Sequence, residues 1–448
     1  MIGLGFDCAI NARQQSVLGP PAGLGWDDSI LTLDARISSG GFRVDTDPRQ
    51  LVDPAIWTGA ALHVDAVNGD DENSGFGSTD GDFSNAKRSI HAAFSAGNAT
   101  GAAYRVLIRS GEYEGSAFSK NGQIEPAFPV AVIGWNGPVS YRTGPFEAAW
   151  TDAGGTYSAG ISSLNRVFRT DVLTDNGLYT ELEHVNDLAI CQASVNTWFK
   201  DGSVLHVNIG RAPGPRDIAA IRNFNGARFL DHSDDLYLEN IHIEGGISGA
   251  LHCDAAADRN VVGVSCSFRY SSPANIAAPL DAVRIRRTNG LVAFFDRDAS
   301  GGAKDGWSFH EDDAITMQVA LSNCTSFENG AFSATSCNAV TAHDNVIAAV
   351  IGGRFGYSRN GAEVHVVQNA RMWVIGAHVT ARDPDGSCVT FKSSNATSLW
   401  LERTRADAAG GAVENLDIEA NGGTVFIRGH IAVAGVNAVY GGGSISAF

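Results

Sequence analysis

Acidic and imidazole side chains gather in one stretch of this chain: Asp305, His310 and Glu311-Asp312-Asp313, then His343 and Asp344 one repeat later. Two carboxyl groups flanking a glycosidic bond can serve as general acid and as base or nucleophile, their separation setting the stereochemical outcome. Arg284, Arg286 and Lys392 lie on either side, with Asp254 before them and Trp307 inside the stretch. Cations beside imidazoles suit another reaction, elimination at a uronic acid. It needs a base for a carbon-bound proton and positive charge on the neighbouring carboxylate. The residues leave both chemistries open. Asp305, His310, Glu311, His343 and Asp344 are the candidate catalytic groups; Asp254, Arg284, Arg286, Trp307 and Lys392 are the candidate substrate contacts. Each also has a structural reading. Asp305 fills the same turn slot as Asp281 and Asn338, Trp307 falls in an inward slot, and the two histidines can simply stack. Arg284 and Arg286 can pair with Asp254 or Glu311 as a surface network of small energetic weight.

What must position these groups is a recurring phrase: a turn residue, a small residue, an apolar one, then a polar one. It reads Gly249-Ala250-Leu251-His252, Asp281-Ala282-Val283-Arg284, Asp305-Gly306-Trp307-Ser308 and Asn338-Ala339-Val340-Thr341, and returns near Gly361, Gly386, Gly411 and Asn437. First residue to first residue, the steps are 32, 24, 33, 23, 25, 25 and 26. A second ladder is led by Leu236, Val261, Leu291, Ile315, Val346, Met372, Leu399 and Val425, often with Asp or Asn just before, as at Asp235, Asn260 and Asn395. Such residues bond their own backbone and suit corners. Two interleaved strand series with a period of about 25 predict an all-β chain folded as a parallel β-helix, one rung per repeat. An antiparallel sandwich would place hairpin signals between the strands, and these are not systematic.

Side chains alternate along a strand. If Leu251, Val283, Trp307, Val340 and Phe391 point inward, then His252, Arg284, Ser308, Thr341 and Thr390 stack outward. Two residues further on, the same face carries Asp254, Arg286, His310, His343 and Lys392. Five rungs make a polar strip roughly 20 Å long, the scale of a short stretch of sugar chain.

Three zones are legible. Residues 1–60 lack the repeat and read as a separate attachment or linker segment. Residues 61–448 form the coil: 61–115 its opening, 116–230 irregular rungs, 231–448 regular ones. In the opening, Ser89 can cap a short helix over Ile90-His91-Ala92-Ala93-Phe94, which would cover the open apolar end of the coil. Among the irregular rungs, Trp198 to Val207 reads as a hairpin turning at Asp201-Gly202. The formal charge of −17 over 448 residues disfavours nucleic acid as a partner. No apolar run approaches a membrane span, and the start Met1-Ile2-Gly3-Leu4 has no secretory pattern, so export by lysis is expected. Seven cysteines without CxxC spacing argue against a zinc site or a full disulfide framework. No cofactor is implied, although Asp70-Asp71-Glu72-Asn73 offers oxygen ligands that calcium could use.

The run Val64-Asp65-Ala66-Val67-Asn68-Gly69-Asp70-Asp71-Glu72-Asn73-Ser74-Gly75, the helix and Val106 to Tyr113 resemble the opening of right-handed parallel β-helix proteins of the pectate-lyase-like superfamily. Trp198 to Val207 is similar to a hairpin found in many members. Asp305 to His310, Cys324 to Gly330 and Thr341 to Asp344 resemble a three-rung pattern of phage tail-spike type proteins. The resemblance covers about 61–448 and implies a right-handed coil with its sites on the outer face. It further implies a homotrimeric spike on a virus-like particle, docked through residues 1–60, that recognises and cleaves a bacterial envelope polysaccharide. A purely glycan-binding spike and a free polysaccharide lyase are the alternatives.

Overall fold

The computed structural model describes residues 17–38, 41–115, 124–273, 280–311, 315–332 and 336–448. It is a right-handed parallel β-helix of about 12 turns with ~27 residues per turn. Each regular turn carries three strands, where the sequence shows two. The first sheet stacks nine strands, from Ala227–Phe229 through Trp307–Glu311 and Val340–Asp344 to Val436–Tyr440. The second contains Leu236–Glu239, Val261–Val264, Leu291–Phe295 and their successors. The third sheet is built from pieces such as Ser267–Arg269 and Thr325–Phe327, three residues each. Strands that short hold no period-two signal, which is why the sequence hides them.

Corners make the stack regular. Between the second and third sheets one residue per turn adopts a left-handed backbone: Asn240, Ser265, Asp296, Asn323, Gly352, Gly376, Arg403 and Gly429, with φ between 49° and 68°. Amides here bond along the stack, for example Asn323 N to Ile351 O and Arg403 N to Arg428 O, both 2.8 Å. At the corner before the second sheet the expected Asx role is met. Asp235 Oδ1 accepts from Asn260 N at 2.7 Å, and Asn260 Oδ1 accepts from Leu291 N at 3.0 Å.

Inside the coil one column of the second sheet runs Leu236, Val261, Val292, Val319, Ala348, Met372, Leu399 and Val425. Leu291, Ile315 and Val346 therefore do not lie in that column. The neighbouring positions are apolar too, so hydrophobicity alone could not fix the phase. The reason is that this sheet is covered on both sides. Its outer face carries Ala131, Tyr237, Val262, Ala293, Ala320, Ala349, Trp373 and Trp400, and Leu24, Leu33, Ala35 and Ile56 pack on them with no exposed surface. Of residues 1–60, set apart by sequence as an attachment or linker segment, residues 17–38 and 41–59 thus form a strap along the coil, and the rest of 1–59 lies outside the described residues. Val44 N donates to Ser322 Oγ at 3.2 Å, and Asp27 N to Gln318 Oε1 at 2.7 Å. The strap sits so close at Gly376 (φ +66°) that a Cβ there would meet the Phe42 ring at 1.9 Å.

The helix spans Ile90–Asn98, with Ser89 Oγ accepting from Ala92 N. Ile90, Ala93 and Phe94 join the main core beside Leu62, Val106 and Phe229. In the same region Asp71 accepts from Arg88 N, Ser89 N and Ser89 Oγ, which commits the acidic turn to holding the helix entry. Among the described residues no group of three or more His, Cys, Asp or Glu is placed to hold a metal, and no helix is long and apolar enough to cross a membrane.

The irregular zone is an inserted subdomain whose strands pair antiparallel except for Glu183–His184 against Thr197–Asp201. After Val130–Arg142 the chain leaves the coil, forms a five-stranded and a three-stranded sheet, and rejoins at Ala227. Thr197–Asp201 and Val204–Asn208 pair as the expected hairpin, with Gly202 at φ +56° in the turn. The subdomain has its own core of Ile161, Leu164, Val167, Trp198, Leu205 and Val207, among others.

Candidate functional site

The outer face of the first sheet carries two polar rows in register. One runs Arg228, His252, Arg284, Ser308, Thr341, His365, Lys392 and Glu419; the other runs Asp254, Arg286, His310 and His343. From Arg228 to Lys392 there are six rung steps, about 29 Å at the usual strand spacing. His310 and His343 sit at matched positions, as expected, and their rings stack at 4.1 Å and 14°. Ser308 Oγ lies 2.9 Å from His310 Nε2.

The structure moves several expected residues. Lys392 belongs to the row of His365, not that of His343, because Val340 pairs with Val364 and Val364 with Phe391. The phrase at Gly361 is one residue out of phase with the ladder, which also concealed His365. Thr390 is fully buried and bonds Asp417. Trp307, a proposed substrate contact, has no exposed surface; its ring packs on Phe294 at 4.8 Å and its Nε1 donates to Thr325 O. Asp305 and Glu311, both proposed as catalytic, also have none. Asp305 is a corner residue: its Oδ1 accepts from Asn338 N and Nδ2, while its own N–H donates to Asp281 Oδ1. Burial, then the Asp281 charge, push its carboxyl up to about 8. Glu311 points inward because it alternates with outward His310. Asp344 pairs in register with Glu311 at the strand end and is half-buried, which raises its pKa. Asp312 and Asp313 lie outside the described residues.

Cations dominate what remains. Arg228, Arg284, Arg286, Lys304 and Lys392 all act on the imidazoles of this face. Arg284 reaches Asp281 at 3.5 Å, Lys392 pairs with Glu419 at 2.8 Å, and Asp254 pairs with Arg287 at 2.5 Å. Burial, followed by these charges, lowers His252 and His343 to about 4, His365 to about 3 and His310 to about 2. All four rings are therefore neutral near pH 7. A hollow of about 510 Å³ opens at the far end of the lane, lined by His365, Lys392, Glu419, Glu414 and Asp385.

These shifts carry a stability consequence. As pH falls below 6.5 the unfolded chain protonates these four histidines while the folded chain does not, so their contribution is complete above 6.5 and is lost towards pH 4. Urea midpoints between pH 7 and 4.5 should fall, and a His343→Gln/His365→Gln variant should show a shallower fall. Equal slopes in the two proteins would contradict the assignment.

A larger cleft, of about 1210 Å³, lies between the inserted subdomain and the corner joining the third sheet to the first. One of its walls comes from the non-repeating strands of the subdomain, so no sequence pattern announces it. Tyr270, Gly301, Glu328 and Tyr357 line it from successive left-handed corner positions, and Arg382 and Asp385 extend it.

No family model matches this chain, and no curated protein matches it. A solved structure described as a glycoside hydrolase is similar at a TM-score of 0.46 and 9% identity, over 87% of this chain and 96% of that one. At that distance the likeness bears on neither substrate nor chemistry.

Proposed function

We propose that this chain recognises an acidic bacterial envelope polysaccharide along its first sheet and cleaves it by elimination. The observation that carries the reading is the lane itself: cations spaced along about 29 Å of regular sheet, on a protein whose formal charge is −17. A polyanion with regularly spaced carboxylates complements such a row, and opposite potentials steer its approach. Of the two chemistries open from sequence, elimination gains support. The carboxylates Asp305 and Glu311 are enclosed, whereas His310 and His343 line the lane beside Arg284 and Arg286. In this scheme the arginines neutralise the uronate carboxylate, acidifying the adjacent carbon-bound proton; neutral His343 accepts that proton, a carbon–carbon double bond forms as the glycosidic C–O bond at the next carbon breaks, and the leaving oxygen takes a proton from water. The depressed pKa values favour a second reading, because a weakly basic imidazole ring is a poor proton acceptor: the lane grips the glycan without cutting it. As for context, we place the chain as a homotrimeric spike on a virus-like particle, on the strength of its three-rung pattern.

The deciding experiment incubates the purified protein with surface polysaccharides of candidate hosts, following chain length, new reducing ends and unsaturated-uronate absorbance together. Shortening with absorbance, lost in His343→Ala, is the expected result. Shortening without absorbance would replace elimination by hydrolysis, and tight binding without shortening would leave the gripping reading.

A further inference from the structure

The flank cleft differs from the lane in kind. Its lining holds four cations (Arg166, Lys200, Arg359, Arg382) against five carboxylates (Glu181, Glu183, Glu328, Asp383, Asp385). Many of these are spent within the protein. Arg166, with 2% of its side chain exposed, holds Glu181 through Nε and Nη2 at 2.8 and 2.7 Å, and its Nη1 donates to Ser271 O and Gly301 O. Arg382 pairs with Asp407 at 2.6 Å, and Asn176 Nδ2 donates to Glu328 at 2.8 Å. The cleft therefore lacks the positive surplus of the lane.

What it has instead is rings. Half-buried Tyr179, Phe199, Phe332 and Tyr357 line it, over buried Trp198 and Tyr270. Tyr179 stacks on Tyr270 at 5.2 Å and 16°, and its backbone N–H donates to the Tyr270 hydroxyl at 2.9 Å. With the Arg166 clamp, this fixes the subdomain on the coil, so the cleft is formed before any ligand arrives and little ordering cost remains. Its volume exceeds the usual 300–1,000 Å³ of small-molecule pockets. Its corner residues advance one rung at a time, about 19 Å from Tyr270 to Arg382. Half-buried rings in the lining, with the exposed oxygens of Glu183, Asn186 and Asp385 beside them, match a pyranose chain. Such a chain presents C–H faces to the rings and hydroxyls to the oxygens.

We propose that this cleft is a second carbohydrate site, one that binds uncharged oligosaccharide by ring stacking. It is additional to the lane and does not depend on it. Asp385 lines both this cleft and the hollow at the end of the lane, so the turn around it is the wall between the two sites.

The test is an array of neutral gluco-, manno- and galacto-configured hexasaccharides, with hits titrated by tryptophan fluorescence. The proteins are wild type, Phe199→Ala, Tyr357→Ala and the lane variant Arg284→Gln/Lys392→Gln, with melting curves as a folding check. Expected is a hit whose Kd rises at least tenfold in either ring variant and is unchanged in the lane variant. Absence of any neutral hit, or a hit indifferent to both ring variants, overturns the proposal. Loss of acidic-polysaccharide binding in the lane variant is scored separately, so each site can fail alone.

Discussion

Trp307→Ala is expected to destabilise the folded coil by about 3–5 kcal/mol, the usual cost of deleting a large buried aromatic. The indole is fully enclosed, packs against Phe294 and donates to the carbonyl of Thr325 across the coil. Removing it opens a void and takes away the side-chain hydrogen bond to that carbonyl. Urea titration followed by circular dichroism measures the loss. A solenoid can unfold in parts, so a second probe at the capping helix should be recorded to see whether the whole coil or only the middle turns respond. Glycan affinity of the fraction still folded should stay within about twofold, because the ring faces away from the lane. Unaltered stability combined with lost binding would return Trp307 to the surface and refute the inward assignment.

The largest effect on binding is expected from Arg284→Gln with Lys392→Gln. The two cations lie in one row, four rung steps and about 19 Å apart, far enough for their contributions to add. A hydrogen bond to a charged group is worth about 1.5–3 kcal/mol, so the pair should cost about 3–6 kcal/mol, or at least a hundredfold in Kd. Wild-type affinity should drop steeply with salt, and the variant should show a flatter dependence. Glutamine retains a donor for Asp281 and Glu419, the present partners, which limits the structural damage. Titrations at two salt concentrations suffice. Equal affinities and equal salt slopes would remove the lane from the mechanism.

How much of this could be read beforehand depended on the side of the sheet. The first sheet turns apolar side chains inward and polar ones outward, so Leu251, Val283 and Val340 announced their direction and the stacked pair His310 and His343 followed from it, although outward Ser308 and Thr341 are themselves fully buried. The second sheet is buried on both faces, and runs such as Ile347-Ala348-Ala349-Val350-Ile351 carry no phase. The strap was invisible for the same reason: nothing local in Leu24 or Ile56 names a partner hundreds of residues away. Asp305 and Glu311 misled because an acidic residue in a strand looks solvent-facing until its corner or alternation is known. The flank cleft, walled on one side by strands that obey no repeat, left only its hairpin in view.

The strap also sets a timetable. A bare coil can grow by adding each turn to the last, yet Gly23 lies against Trp400 and Asp27 bonds Gln318. At about 5–20 residues per second of synthesis, residues near Gly23 wait roughly 20–75 s for their partners to be made. Until then the apolar edge of the strap that those partners cover stays open. Closure cannot precede the late turns and spans most of the chain, so folding should finish slowly, with a late phase of high contact order. Once shut, the strap couples the first turns to the last, and a coil that could fray from its end instead has to open lengthwise.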